Sequence, residues 1–115
     1  VPSGAAFLML STSHTGAAAE LFVSNWLMMQ GCLVFRNCSP HGPIDLIATN
    51  NDAVVKIDVK SQLKMTYRID GAEQINCGLL GLREDNVWQI LYVHGELSPR
   101  IPDGFLEALG MNYHE

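Results

Sequence analysis

The stretch from Gly42 to Ser61, GPIDLIATNNDAVVKIDVKS, constrains this chain more than any other. Two runs rich in Val, Ile and Leu flank Asn50-Asn51-Asp52, residues that tolerate left-handed backbone. The pattern predicts a hairpin with strands over Pro43 to Thr49 and Ala53 to Ser61. In the second strand Val55, Ile57 and Val59 alternate with Lys56, Asp58 and Lys60, which assigns the two sets to opposite faces. In the first, Asp45 stands alone inside Ile44-Asp45-Leu46-Ile47-Ala48, a run whose composition predicts burial on both faces. A carboxylate there is costly unless it meets a cation or a metal.

The flanking segments supply the rest of an α/β layer arrangement. From Ser13 or Thr15 to Gln30 the pattern predicts a helix stopped by Gly31. Its apolar residues lie almost all round, which predicts burial on more than one side, while Glu20 sits among mostly small neighbours. Cys32 to Phe35 reads as a strand and Asn37 to Gly42 as a polar turn. Residues 62–74 have no clear period. Ile75 to Leu82 reads as a short helix or irregular turn, Val87 to Val93 as an apolar strand, and Pro102 to Leu109 as a short helix ended by Gly110. The expected order is α-β-β-β-α-β with a short C-terminal helix, in one domain over residues 1–115. Residues 1–12 form an apolar N-terminal extension, which would add an edge strand or pack on a neighbour.

Composition narrows the function classes. At 48% apolar and 17% charged residues, the chain is unlike an intrinsically disordered one. The low charged fraction also implies apolar surface, or a second copy covering it. No apolar run reaches the roughly 20 residues of a membrane span. Ala17-Ala18-Ala19 resembles a signal-peptidase site, but no Lys or Arg precedes Arg36 to make the basic region of a signal peptide. Three cysteines, Cys32, Cys38 and Cys77, cannot all pair within one chain, which fits reduced thiols and a cytoplasmic location. The net charge of −5 argues against nonspecific polyanion binding. Between Arg36 and Arg68, however, five basic residues stand against three acids, and elsewhere two against nine. Only the middle third is suited to face a phosphate backbone.

Two strands linked by a tight turn bring Asp45 and Asp58 near each other, and two close carboxylates repel unless a cation lies between them. Hard oxygen ligands without nearby His or thiolate favour Mg2+ or Mn2+. Lys60, on the same face as Asp58, is placed to act on an attacking water and on charge building on a phosphate. Three charges in a row also describe a plain solvated edge, and that alternative stays open at this level.

These residues resemble a known family. Gly42-Pro43-Ile44-Asp45, followed after twelve residues by Asp58-Val59-Lys60, looks like the signature of the PD-(D/E)XK nucleases. Thr15-Gly16-Ala17-Ala18-Ala19-Glu20, with Leu27 and Gly31, resembles the first helix of its archaeal Holliday-junction resolvase and homing-endonuclease branches. The resemblance covers residues 14–62. It implies a restriction-endonuclease-like core, a central mixed β-sheet flanked by helices, and metal-dependent hydrolysis of DNA. It makes Asp45 and Asp58 metal ligands, Glu20 a ligand or ligand-orienting residue, the Val59 carbonyl a further ligand, and Lys60 the residue acting on water. Ser61 and Gln62 fall where such enzymes place further contacts.

The candidates for holding DNA are Arg36, Lys56, Gln62, Lys64 and Arg68. So few basic groups favour a homodimer or higher oligomer that aligns two copies of the basic middle, and nucleoid association would follow from DNA as substrate. Phe22, Trp26 and Met29 form a stripe suited to that interface or to the ordinary core. The rival from another class is a nuclease fold kept as a catalytically inactive binding or assembly module. Other constellations are weaker. Cys32, Cys38 and His41 lack the paired spacing of a zinc site, His41 serves a turn or a phosphate, and His94 belongs to the surface.

Overall fold

Helix α1 runs over Thr12–Met29 and stops where Gly31 takes a φ of 95°. The Cys32 N–H donates to the Leu27 carbonyl (3.1 Å) and the Gly31 N–H to that of Met28 (2.9 Å). This doubly bonded glycine ending satisfies carbonyls that the last turn leaves open. The chain then enters the sheet at once. The computed structural model describes residues 12–39, 41–61, 65–69, 72–76 and 81–111, with the backbone alone for 12–13, 65–69 and 72–76. Residues 1–11, the apolar extension, and the candidates Gln62 and Lys64 lie outside the described residues, as does Cys77.

Among the described residues seven strands follow: β1 Leu33–Arg36, β2 Leu46–Asn50, β3 Ala53–Lys60, β4 Met65–Ile69, β5 Ala72–Asn76, β6 Gly81–Leu82 and β7 Val87–Leu91, with α2 at Phe105–Ala108. Five form one mixed sheet in the order β1-β2-β3-β7-β6. β1, β2 and β3 pair antiparallel, β3 and β7 parallel, β6 and β7 antiparallel. The expected hairpin is present, with Asn50 opposite Ala53 and Asn51 at a φ of 54° in its turn. The α/β class is as the pattern predicts, and the mixed sheet with packed helices is as the resemblance implies.

The element order differs in one place. The described residues within Ile75 to Leu82 are strand rather than helix. Ala72–Asn76 pairs antiparallel with Met65–Ile69, and Gly81–Leu82 pairs with β7. Both are ladders, whose partners lie elsewhere in the chain, so the local Leu-Gly composition carries little information. One signal was present: Asp70-Gly71 separates two short runs, and such a pair favours two-residue hairpin loops.

The core lies between one sheet face and the two helices. Ala19, Val23 and Leu27 from α1 meet Leu46, Ala48, Val55, Ile57 and Ile90 from the sheet and Phe105 and Leu109 from the C-terminal segment. Trp88 packs edge-on against Phe105, with ring centroids 5.6 Å apart. α1 is not buried on several sides, since Leu21, Met28 and Met29 are exposed. Of the proposed stripe, Phe22 stacks on Tyr92 at 3.8 Å and Trp26 packs against the core, leaving Met29 outside. On the other sheet face Leu33, Phe35 and Val54 are exposed, which accounts for part of the apolar surface that the low charge implies. No helix among the described residues is long and apolar enough to cross a membrane.

Phe105 is fully buried, whereas Val54 is 61% exposed. Replacing Phe105 by Ala should cost about 3–5 kcal/mol in urea unfolding, and Val54→Thr should stay within about 0.5 kcal/mol of the parent.

Candidate active site

Asn37 shapes the loop that delivers the first acid. Its amide donates to the Ile44 carbonyl (2.9 Å), its side-chain oxygen accepts from the Ser39 N–H (2.8 Å), and its own N–H donates to the Asp45 carbonyl (2.9 Å). Asp45 therefore comes to rest just ahead of β2, at the end of the hairpin. There its N–H donates to the Ile57 carbonyl (2.8 Å), and its Oδ2 accepts the Val59 N–H at 2.7 Å. These two bonds hold Asp45 across Asp58. Alternate peptides of a strand face the same neighbour, so the Val59 carbonyl also lies toward the β2 edge.

Asp58 is 9% exposed and lies with Lys56 and Lys60 on the sheet face away from α1. Its Oδ2 is surrounded by donors. Lys60 Nζ lies at 3.2 Å, Arg83 Nη1 at 3.2 Å and Gln89 Nε2 at 3.4 Å. Glu20, on α1, pairs with Arg36 at the end of β1 at 3.6 Å. Lys56 is exposed on β3. For Arg68 the structure gives a place in β4, opposite Glu73.

The electrostatics tie the three acids together. Burial pushes the Asp45 carboxyl up to about 6, against the pull of the Val59 N–H. The Asp58 carboxyl within hydrogen-bonding reach, and the charges of Glu20 and Asp58, push it further the same way. Crowded carboxylates, hard oxygens all, are the donor chemistry that a small dication accepts. They are not gathered on one point, however. Among the described residues no three His, Cys, Asp or Glu side chains are grouped to hold a metal ion. Asp58 is turned toward Lys60 and Arg83, and Glu20 toward Arg36.

Sequence reasoning missed two members of this cluster. Gln89 faces Asp58 directly across the parallel β3–β7 pair. As the lone amide in the apolar run VWQILYV, it carried the same signal as Asp45. Arg83 precedes β7, twenty-five positions from Asp58, and nothing local marked it. The weaker constellations fare as follows. Cys32 is buried and Cys38 and His41 are exposed, while His94 Nε2 lies 3.2 Å from the Thr15 carbonyl, so it is not a plain surface residue.

No family model and no curated protein matches the sequence. Among solved structures the chain is similar to a bacterial homing endonuclease, I-Ssp6803I, with a TM-score of 0.51 and 16% identity. The match covers 74% of this chain and 64% of that one. The fold is an endonuclease-like fold.

A carboxyl with a raised folded pKa favours the folded state only while protonated. For Asp45 that contribution is complete below about pH 4 and is lost as the pH rises through about 6. Asp45→Asn keeps an oxygen for the Val59 N–H and removes the charge. In metal-free buffer it should raise stability by about 1 kcal/mol near neutral pH, allowing for screening of a half-buried group. Below about pH 4 thermal unfolding should show little difference.

Proposed function

We propose that this chain is a metal-dependent endonuclease that hydrolyses DNA phosphodiester bonds, with a PD-(D/E)XK site of the resolvase or homing-endonuclease kind. The observation that carries it is Asp45 bonded to the Val59 amide at 2.7 Å, beside the Asp58 and Lys60 pair at one end of the hairpin. The similarity to a bacterial homing endonuclease supports the same reading at the level of the fold.

In this reading Asp45 and Asp58 hold the ion, the Val59 carbonyl adds a neutral oxygen, and Glu20 completes or orients the set from α1. A bound Mg2+ or Mn2+ would polarise the scissile phosphate and favour ionisation of the attacking water. The Lys60 ammonium, held by Asp58, orients that water and balances charge growing on the phosphate. Arg36 and Lys56, with Lys64, Arg68 and Gln62, serve the DNA backbone. A homodimer or higher oligomer would double the modest basic surface, as two cuts or a four-way junction require. Such work belongs to the cytoplasm or the nucleoid.

A second reading, an inactive nuclease fold used for binding or assembly, is favoured by one observation. Asp58 already has three donors around Oδ2, two of them cationic, and so can stand as a closed polar cluster.

The two readings separate on supercoiled plasmid, linear duplex and a synthetic four-way junction with Mg2+, Mn2+ or EDTA. The nuclease should cut at least one substrate only with metal. Lys60→Ala should lower the rate by roughly 100-fold or more, and Asp58→Ala should abolish both cutting and Mn2+ uptake. A folded protein that cuts none of the three and takes up no Mn2+ sinks the enzymatic reading.

A further inference from the structure

Arg83 has two acidic partners, and its backbone is fixed. Its N–H donates to the Val87 carbonyl (2.9 Å) and its carbonyl accepts from the Asn86 N–H (3.0 Å), with Asn86 at a φ of 63°. This tight turn between β6 and β7 sets Arg83 beside β7, which pairs with β3 through Asp58 and Gln89. From there Nη1 reaches Asp58 Oδ2 at 3.2 Å, while Nη2 binds the Asp85 carboxylate on the solvent side. The Arg83 side chain is about one-third exposed.

We propose that Arg83 holds the cation position at Asp58 while no metal is bound, and passes to a DNA phosphate when a divalent ion takes that carboxylate. The proposal rests on the nuclease reading and adds a residue to it.

Electrostatics drives the exchange. Asp58 Oδ2 has two cations at 3.2 Å, and a dication on the same oxygen would face strong repulsion from both. Lys60 is two residues from Asp58 on the same strand face, so the pleat keeps it near. Arg83 comes from a separate turn and has an alternative anchor in Asp85. It is therefore the cation that leaves, and water already reaches it. A planar guanidinium offers paired donors to a phosphate, which an ammonium does not. Gln89, neutral and buried, stays beside the same Asp58 oxygen and adds no charge to repel the ion. Arg83 thus lowers the affinity for metal in the absence of DNA and restores it when a phosphate is present to receive the guanidinium, which links the two ligands reciprocally.

The test compares the intact chain with Arg83→Gln and Arg83→Lys. Calorimetric titration with Mn2+ alone, without DNA, should show roughly three- to tenfold tighter binding for Arg83→Gln, the loss of one charge-assisted bond. Duplex DNA binding in Ca2+, read by fluorescence anisotropy, should weaken several-fold. Arg83→Lys, which keeps the charge and loses the fork, should fall between on both measurements, and its circular dichroism secures the comparison if Arg83→Gln fails to fold. A purely structural Arg83 would lower Tm and leave Mn2+ affinity equal or weaker. That outcome, in a protein whose parent binds Mn2+, overturns the proposal and spares the nuclease reading. If the parent takes up no Mn2+, the nuclease reading itself falls, and this inference with it.

Discussion

The hydrogen bond from the Val59 N–H to Asp45 Oδ2 organises one end of this molecule. A strand that outruns its neighbour leaves an N–H without a ladder partner, and a buried orphan of that kind is unfavourable. β3 reaches Lys60, beyond the pairing with β2, and the Asp45 side chain supplies the missing acceptor. One bond thus closes the hairpin, and it also brings a carboxylate against Asp58. Asn37 adds to it, since the loop that it ties fixes where Asp45 enters the sheet.

That closure concentrates negative charge, and the surrounding structure answers it unevenly. Asp58 receives Lys60, Arg83 and Gln89, and Glu20 receives Arg36. Asp45 accepts the neutral Val59 N–H, while burial, with the neighbouring Asp58 and Glu20 acids, pushes its carboxyl up to about 6. Among the described residues the cluster is short of positive charge at one of its three acids. A site in this state has a physical reason to take up a cation, and the positively charged groups already present limit how tightly it does so.

Much of this was legible in the chain. The ending of α1 follows from Gly31, the β2–β3 hairpin from Asn50-Asn51-Asp52, and the pairing of Lys60 with Asp58 from the period of two. Asp45 stood out because an acid inside an apolar run demands a partner. The failures have a shared cause. β5 and β6 are strands because of the residues they pair with, and Asp70-Gly71 was the one local sign of the first of these ladders. The apolar content of α1 predicts burial on more than one side, but the side with Leu21, Met28 and Met29 meets no partner among the described residues, which composition does not reveal.

The sequence alone determined the local geometry: which segments turn, which face each strand residue takes, and that Asp45, Asp58 and Lys60 share one end of a hairpin. These depend on contacts within about twenty residues, where residue type and period decide the outcome. Only the tertiary structure decided what surrounds those groups. The parallel pairing of β3 with β7 brings Gln89 against Asp58 and carries Arg83 within reach of it, and the packing of α1 sets Glu20 beside Arg36. A parallel pair needs a crossover, so its register is set by packing across the whole sheet and leaves no mark in the neighbouring sequence.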